Sequence, residues 1–273
     1  MLPYDESEQG SISRRSLLAG LGACIACAGV GRYLFEQSDK ERDLLRGFRT
    51  VSNNERHVVD PSAIFDVKTK HPFVGLTFDD GPDPRYTPKV LKLLKLYKAH
   101  ATFFLIGVNA YAYPELVKQI LHDGHSIGNH TFDHPELELL PQGVVKSEID
   151  RGRDELLRAG APDPRFFRPP KGYTDRVVDI IADKNKYKTV FWTQCVEAFV
   201  DHHAIEQSSR ELVAGVRRGS IILAHDGGHI VTRPDSWVDR KRTLKALPHV
   251  LNGLREKHLT AVDLPRLLAA REN

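Results

Sequence analysis

Short apolar runs alternate with amphipathic stretches from residue 71 to the end of the chain. Continuous apolar runs are typical of buried strands, and apolar positions three or four residues apart indicate helices. Strands are predicted over residues 73–78, 101–106, 126–129, 166–167, 189–192, 220–224 and 260–262. Helices are predicted over residues 87–97, 114–122, 143–159, 173–183, 205–216, 243–256 and 264–270. About seven β-α units without a repeated motif indicate one domain with a parallel α/β architecture.

Four of the predicted strands end in polar side chains of the kinds that bind metal ions or transfer protons. The groups that follow them are Asp79 and Asp80, His130 and His134, Arg168, and His225 with Asp226. In a barrel of parallel strands, the chemistry lies at the carboxyl ends of the strands. We therefore expect these side chains to share one site.

One carboxylate of the pair Asp79 and Asp80, together with His130 and His134, has the composition of a catalytic metal site. Neighbouring buried aspartates repel each other when both are ionised, unless a cation compensates the charge. The two histidines are four residues apart, so one helical turn would place both imidazoles on one face. Two histidines and one carboxylate leave an open position on Zn²⁺, and other borderline divalent ions accept the same ligands. A plain turn and a helix cap are the alternatives, and the joint occurrence at strand ends favours the metal site.

The N-terminus has the pattern of an export signal. Arg14 and Arg15 precede an uncharged apolar run over residues 17–30, which is shorter than the about 20 residues that a spanning helix needs. This pattern is typical of a twin-arginine signal. We predict a signal peptide or anchor over 1–35, a linker over 36–70 and the folded domain over 71–273. Export to the periplasm or cell envelope follows, with membrane contact only through an uncleaved or lipidated N-terminal segment.

Composition narrows the choice of partners. Lys and Arg number 39 and Asp and Glu number 36, a net charge of +3. Nucleic-acid-binding domains usually carry a strong basic excess, so we expect no nucleic-acid partner. Cys24 and Cys27 lie in the apolar N-terminal segment, which leaves Cys195 as the single cysteine of the folded body. We expect no internal disulfide in that body and an inert, buried thiol at Cys195.

The motifs, in their order along the chain, resemble those of the NodB-homology polysaccharide deacetylases, carbohydrate esterase family 4. TFDDGP over 77–82 is similar to the first family motif, and HTFDH over 130–134 to the second. FRPP over 167–170 resembles the third motif, and LAHD over 223–226 the fifth. The resemblance covers about residues 73 to 268. It implies a distorted, incomplete (β/α) barrel and the metal-dependent deacetylation of an acetylated polysaccharide.

Carried over residue by residue, the resemblance also implies roles. The metal ligands are Asp80, His130 and His134, with Zn²⁺ as the first expectation and Co²⁺, Ni²⁺ and Mn²⁺ as alternatives. The catalytic residues are Asp79 as general base, Arg168 as its orienting partner and His225 as general acid. The substrate contacts are Leu223 at the acetyl methyl, together with Lys171, Tyr173 and Trp192. A metal ion that polarises an amide carbonyl and activates water fits this reaction, as do a carboxylate base and an imidazole acid.

Two motifs depart from the family pattern. Lys171 stands where the third motif usually has tyrosine, so its side chain either brings a cation to the cleft rim or points into water. The fourth motif, Asp-x-x-Asp-Trp, falls on residues 195–199, where Cys195 and Ala198 occupy the two aspartate positions. The carboxylate that would orient the acid histidine is therefore missing, and Glu197 and Asp226 are the candidate replacements.

The sequence predicts a hydrolase that deacetylates an acetylated glycan or cell-wall polymer, with N-acetylated amino sugars as the first expectation. Peptidoglycan, an exopolysaccharide of N-acetylglucosamine, chitooligosaccharides and acetylated xylan are all open as substrates. The altered fourth motif motivates one alternative, a glycan-binding relative with weak or no turnover. A hydrolase of small non-sugar amides is the second alternative.

Overall fold

The computed structural model describes residues 62–200, 204–232 and 238–272. The predicted signal or anchor and most of the predicted linker lie outside these residues, as do Cys24 and Cys27. The strands are β1 (Phe73–Asp79), β2 (Thr102–Leu105), β3 (Ser126–Asn129), β4 (Phe166–Phe167), β5 (Lys188–Thr189), β6 (Gln194–Cys195), β7 (Ile221–His225) and β8 (Thr260–Val262). Among the described residues, no helix is long and apolar enough to cross a membrane.

The helices flank this sheet and connect its strands. They are α1 (Thr87–Tyr97), α2 (Gly107–Ala112), α3 (Pro114–His122), α4 (Gln142–Arg158), α5 (Arg176–Lys184), α6 (Val196–Val200), α7 (Ile205–Gly215), α8 (Lys241–Glu256) and α9 (Leu264–Ala269). Short 3₁₀ turns cover Leu137–Leu139 and Pro170–Gly172.

The strands form one curled sheet in the order β5-β4-β3-β2-β1-β7-β6, and β8 pairs with the start of β1. The ladders between these strands are parallel. In the described part of the chain, no pairing joins β5 to β6, so the barrel stays incomplete. This arrangement is the distorted (β/α) barrel that the resemblance implied.

Alternation along the central strands separates the core from the site. Leu76 and Phe78 of β1 are fully buried in the layer between the sheet and the helices. The residues that alternate with them, Thr77 and Asp79, point to the opposite face, because successive side chains of a strand alternate. Truncating a buried leucine such as Leu76 to alanine costs about 2–5 kcal/mol, so this layer holds β1 firmly in place.

The predicted helices over 87–97 and 114–122 are confirmed to the residue. A helix predicted from Tyr173 instead begins at Arg176, because Asp175 caps it by accepting a hydrogen bond from the Val178 N–H at 2.9 Å. The predictions missed α2, β6 and α6, which are short elements with little periodicity of their own.

The folded body begins before the boundary predicted at residue 71. Ile64 and Val67 are buried in the apolar cluster around Trp192. Ile64 also forms an isolated parallel bridge with Val190. Residues 64–67 thus belong to the packed body rather than to a linker, since their apolar side chains complete this cluster.

Candidate active site

The register of the sheet places the predicted site residues side by side. Asp79, at the end of β1, lies directly opposite His225, at the end of β7. On the other side of β1, Asn129 at the end of β3 pairs with Phe167 at the end of β4. His130 and Arg168 follow these two residues. All the polar groups identified at strand ends therefore meet at one edge of the sheet, as predicted.

The backbone at Asp80 turns out of the strand with φ 71°. A non-glycine residue rarely adopts this left-handed conformation, so the surroundings must hold it. The Asn109 side-chain amide donates hydrogen bonds to the Asp80 carbonyl at 3.0 Å and to the Gly228 carbonyl at 2.9 Å. Asn109 thereby ties the loop after β1 to the loop after β7 and fixes the direction of the Asp80 carboxylate.

His130 and His134 do not lie on a helical turn, contrary to the sequence-based expectation. The segment after β3 is an irregular loop, with φ 68° at Thr131 and 55° at His134. These left-handed residues cannot continue a right-handed helix. The loop nevertheless brings the two imidazole rings within 4.8 Å of each other, centroid to centroid. A folded loop thus achieves the convergence that the spacing suggested.

The two imidazoles present their Nε2 atoms to the same carboxylate oxygen. Asp80 Oδ1 lies 3.5 Å from His130 Nε2 and 3.3 Å from His134 Nε2. His130 Nδ1 lies 2.7 Å from the Arg168 carbonyl oxygen, which can only accept, so Nδ1 carries the proton and Nε2 keeps its lone pair. This partner fixes the tautomer that a metal ligand needs.

These three side chains fit a divalent metal ion. With metal–ligand bonds of about 2.0–2.2 Å, a tetrahedral ion separates nitrogen and oxygen ligands by about 3.4 Å, close to the two distances above. The buried Asp80 Oδ1 accepts no hydrogen bond from the described residues. Burial lowers the pKa of His134 to about 3. Burial would raise the pKa of Asp80, but the nearby His134 and His130 hold it well below its ordinary value. The site therefore offers a neutral His134 imidazole and an ionised Asp80 carboxylate beside His130.

Asp79 is held by a buried guanidinium. Arg168 Nη1 donates to Asp79 Oδ1 at 2.6 Å and to Thr77 Oγ1 at 3.0 Å. The remaining donors of Arg168 reach the carbonyls of Val190 at 2.9 Å and Phe191 at 3.0 Å. Arg168 is fully buried, so this network both compensates its charge and orients the Asp79 carboxylate. Asp79 Oδ2 stays directed towards the metal-ligand group, 3.7 Å from His130 Nε2.

Trp192 was predicted to contact substrate, but the structure gives it a different place. Its side chain is 2% exposed, and the Arg168 guanidinium lies 5.4 Å from its ring centroid. Gly172 closes over the ring, since a Cβ at that position would lie 2.7 Å from an indole carbon. Trp192 therefore packs under the site and supports Arg168, because no face of the indole is open to a glycan.

His225 has the carboxylate partner that the altered fourth motif left in doubt. Glu197 Oε2 lies 3.0 Å from His225 Nδ1, and Glu197 Oε1 accepts from the His225 backbone N–H at 3.0 Å and from Thr243 Oγ1 at 2.7 Å. Burial would lower the pKa of His225, but the charge of Glu197 raises it to about 9. Burial would raise the pKa of Glu197, but His225 lowers it to about 2. The geometry favours a charged pair.

Asp226, the other candidate partner, does not contact the His225 ring in this way. Its Oδ2 accepts a hydrogen bond from Thr87 Oγ1 at 2.5 Å. Its carboxylate also lies so close to Gly81 that a Cβ there would meet it at 2.6 Å. Burial raises the pKa of Asp226 to about 7. Asp226 is thus a buried support of the loop after β1, and Glu197 is the partner of His225.

The remaining predicted substrate contacts differ in exposure. Leu223 is buried, at 1% exposure, on the site-facing side of β7, whereas Tyr173 is 37% exposed at the rim. The Lys171 ammonium forms a salt bridge with Glu136, so its side chain lies neither free in water nor unpaired in the cleft. The Lys171 backbone has φ 58° within the turn after β4.

Arg240 is a site residue that the sequence did not reveal. Its Nη2 lies 3.0 Å from Asp80 Oδ2, and its Nε donates to the Gly227 carbonyl at 2.9 Å. It stands in a charged stretch beside Asp239 and Lys241, where a single arginine carries no distinguishing pattern. Arg240 occupies one Asp80 oxygen and leaves the other to the two histidines.

Comparison with known proteins identifies the family. The family model described as polysaccharide deacetylase matches residues 66–190. A peptidoglycan-N-acetylglucosamine deacetylase of Bacillus cereus is 36% identical over 214 residues, which are 75% of this chain and 92% of that protein. This chain belongs to the polysaccharide deacetylase family. It is therefore a hydrolase of the carbohydrate esterase family 4 type.

A further sequence relative and a solved structure resemble this polysaccharide deacetylase. A chitooligosaccharide deacetylase of Azorhizobium caulinodans is 36% identical over 199 residues, 70% of this chain and 92% of that protein. The crystal structure of a peptidoglycan N-acetylglucosamine deacetylase bound to 4-naphthalen-1-yl-N-oxidanyl-benzamide superposes with a TM-score of 0.67 at 29% identity. That match covers 77% of this chain and 95% of the other. The incomplete barrel is thus the fold of the family.

Proposed function

We propose that this deacetylase hydrolyses the N-acetyl groups of an amino-sugar polymer, with a divalent metal ion, Asp79 as general base and His225 as general acid. One observation carries the proposal. The register of β1 and β7 sets Asp79 opposite His225. Asp80, the first of the three metal ligands, follows Asp79 directly along the chain. A base, an acid and an ion site therefore surround one point at the sheet edge.

Asp80, His130 and His134 would hold the ion, and Zn²⁺ is the first candidate because two imidazoles and a carboxylate suit it. Co²⁺, Ni²⁺ and Mn²⁺ are the alternatives for the same ligands. When bound, such an ion polarises a carbonyl oxygen and lowers the pKa of water. Arg240 fixes the other oxygen of Asp80, so the carboxylate presents one oxygen to the ion site.

Asp79 removes the proton from the attacking water. Its Oδ1 is occupied by Arg168 at 2.6 Å, which leaves Oδ2 as the oxygen that accepts the proton. The buried Arg168 guanidinium pairs with this carboxylate and holds its orientation. The geometry also explains why Arg168 is more than a surface ion pair, since its other donors are fixed by backbone carbonyls of the segment after β5.

His225 gives the proton that the departing amine needs. A protonated imidazole with a pKa raised to about 9 is charged at neutral pH and can donate. Glu197 stabilises that charge from the side of Nδ1. This pair speaks against the glycan-binding alternative without turnover, because the carboxylate that the fourth motif lacks is supplied two residues after Cys195.

The substrate class is proposed from the family and the rim of the site. Two of the relatives are named as a peptidoglycan-N-acetylglucosamine deacetylase and a chitooligosaccharide deacetylase. Leu223 would contact the acetyl methyl, Tyr173 would stack at the rim, and the backbone N–H of Lys171 would donate to the oxyanion. The twin-arginine pattern supports an exported protein, of the periplasm or cell envelope, that meets such a polymer outside the cytoplasm.

The test measures acetate released from N-acetylglucosamine oligomers and from peptidoglycan by the full chain. We expect release with one equivalent of zinc and none after chelation, with recovery when zinc returns. Asp79→Asn is the matched control, because it should bind the ion and release no acetate. Metal-independent release, or release by Asp79→Asn at the parent rate, would overturn the proposal.

A further inference from the structure

A second group of metal-ligating side chains lies beside the one described above. Cys195, Glu197 and His225 each offer one ligand atom, and these atoms lie within 4.8 Å of one another. Cys195 and Glu197 are buried, at 2% and 3% exposure. The thiol stands at the first aspartate position of the fourth motif, where the family pattern has a carboxylate. This chain thus adds a soft sulfur donor to the pair that serves the acid histidine.

Two distances in this group lie near those around a tetrahedral ion, the sulfur–oxygen distance closely and the oxygen–nitrogen distance about 0.4 Å short. Cys195 Sγ lies 3.6 Å from Glu197 Oε2, and Oε2 lies 3.0 Å from His225 Nδ1. Zinc bonds of about 2.0–2.3 Å predict separations of about 3.6 Å between sulfur and oxygen and about 3.4 Å between oxygen and nitrogen. Small adjustments of one side chain would therefore complete three of the four positions around an ion.

The hydrogen bonds of Glu197 direct one of its carboxylate oxygens towards the other two ligands. The backbone N–H of His225 and the Thr243 hydroxyl occupy Glu197 Oε1 and so direct Oε2 towards Cys195 and His225. The contact of His225 Nδ1 with Oε2 is close but is not aligned as a hydrogen bond. Oε2 is thus positioned as a ligand without any loss of the bonds that hold Oε1.

We propose that Cys195, Glu197 and His225 bind a second, inhibitory divalent ion that favours thiolate, with Zn²⁺ as the ion of best fit. Thiolate, carboxylate and neutral imidazole together carry two negative charges, which one Zn²⁺ neutralises. The thiol proton and the proton on Nδ1 leave to solvent when the ion binds. A thiolate ligand selects Zn²⁺ over harder ions such as Mg²⁺.

Occupancy of this second site would silence the general acid. With an ion on Nδ1, the imidazole can no longer become an imidazolium, and Glu197 no longer compensates a charge on the ring. Excess zinc should therefore stop proton donation, although the Asp80 site remains filled. This inhibitory effect rests on the proposed role of His225, whereas the ion site itself rests on geometry alone.

The first experiment counts the bound ions and uses Co²⁺ as a spectroscopic probe of a sulfur ligand. The full chain carrying Cys24→Ser and Cys27→Ser, so that Cys195 is its only thiol, is stripped of metal and titrated with Co²⁺. We expect two equivalents to bind, one of them with a thiolate-to-cobalt charge-transfer band in the near ultraviolet. Adding Cys195→Ser should remove the band and one equivalent. Asp80→Asn should remove the other equivalent and keep the band.

The second experiment asks whether the second ion inhibits. Acetate release by the same protein should fall about tenfold or more between one equivalent and an excess of zinc, since a general acid contributes at least that much. Release by the Cys195→Ser variant should stay level over that range, and Cys195→Ala repeats the test if the serine variant unfolds at a lower temperature.

Each outcome tests a separate claim: the ion site, its inhibitory role or the proposed function. A single equivalent without the thiolate band, or a second equivalent that survives Cys195→Ser, would overturn the ion site. A band without inhibition by excess zinc would overturn the inhibitory role. A band in a protein that releases no acetate at any zinc level would overturn the proposed function and leave the ion site standing.

Discussion

The two halves of this site are built in different ways. On the β1 side, Asp80 and His134 reach their positions through left-handed backbone, at φ 71° and 55°, which tightly packed loops must stabilise. On the β7 side, Glu197 reaches His225 from the first turn of α6, an ordinary helix. The ion-binding half thus depends on loops with left-handed backbone at its ligands. The acid half needs only a carboxylate within reach of one nitrogen.

This difference explains which half can change its residues. A ligand on a strained loop cannot move by one position without losing its direction, because the neighbouring residue points elsewhere. A carboxylate on a helix can be supplied from another position when its side chain is longer. Glu197 does this here, two residues after the cysteine that stands in the family's aspartate position.

The largest effect on acetate release should come from a substitution in the ion-binding half of the site. Asp80→Asn keeps the shape of the side chain but removes the charge that faces His130 and His134. We expect acetate release to fall below detection and zinc at this site to be lost in a Cys195→Ser background, measured by metal content after gel filtration. Asp226→Asn is the matched control, since Asp226 is a buried neighbour with a pKa of about 7 and no ligand role. Full zinc retention by Asp80→Asn would contradict the ligand assignment.

Asp79→Asn should separate ion binding from turnover. The amide cannot accept the proton of the attacking water, so we expect kcat to fall by about 10²–10⁴-fold. Zinc content should stay at the parent value, because Asp79 is not among the ligands. Steady-state rates and metal analysis of the same preparation check both statements. A fall in zinc parallel to the fall in kcat would show that Asp79 acts on the ion instead.

Glu197→Gln should test the acid half of the site through the pH dependence of the rate. A general acid must be protonated, so activity is present below the pKa of His225 and lost as the pH rises through it. With Glu197 charged, that loss is expected near the pKa of about 9. Without the charge, burial lowers the pKa, so the alkaline limb of the pH–rate profile should move to lower pH. At pH 8 we expect a loss of about 10–100-fold.

The control for this pH–rate profile is Glu206→Gln, a change at an exposed carboxylate that pairs with Arg210 on the same helix. Its alkaline limb should coincide with that of the parent protein. An unmoved limb in Glu197→Gln would remove Glu197 as the partner of His225.

The smallest effect should follow Arg240→Met, which frees one oxygen of Asp80. Groups that orient a ligand typically change metal affinity by about 10-fold or more when they are lost, so we expect about a tenfold weaker Kd for zinc and little change in kcat at saturation. Competition with a chromophoric chelator measures this Kd. Lys241→Met, next to it and exposed, should leave the Kd unchanged, and an equal Kd in both variants would exclude a role for Arg240.

The sequence predicted most of the elements because their signals were local. Helices over 87–97 and 114–122 have a proline in their first turn and a clear apolar face, and their bounds were right. The two-residue strand β6 and the short helix α6 have no such periodicity. They form because β6 pairs with β7, which is a contact between distant parts of the chain.

The ligands were found from motifs, but their geometry was not. The spacing of His130 and His134 suggested a helical turn, whereas positive φ at Thr131 and His134 makes the segment a loop. Arg240 was missed, since its role arises only when α8 brings its start next to Asp80. The resemblance implied a substrate contact at Trp192, whereas its burial follows from packing against Gly172 and Arg168.

Arg168 serves the site twice, with its guanidinium on Asp79 and its carbonyl on His130 Nδ1. Every amino acid has a backbone carbonyl, whereas only arginine supplies this side chain. A substitution at position 168 would therefore remove the partner of Asp79 and leave the acceptor of the His130 N–H in place. The two supports that one residue provides can be lost separately, because one belongs to the side chain and the other to the main chain.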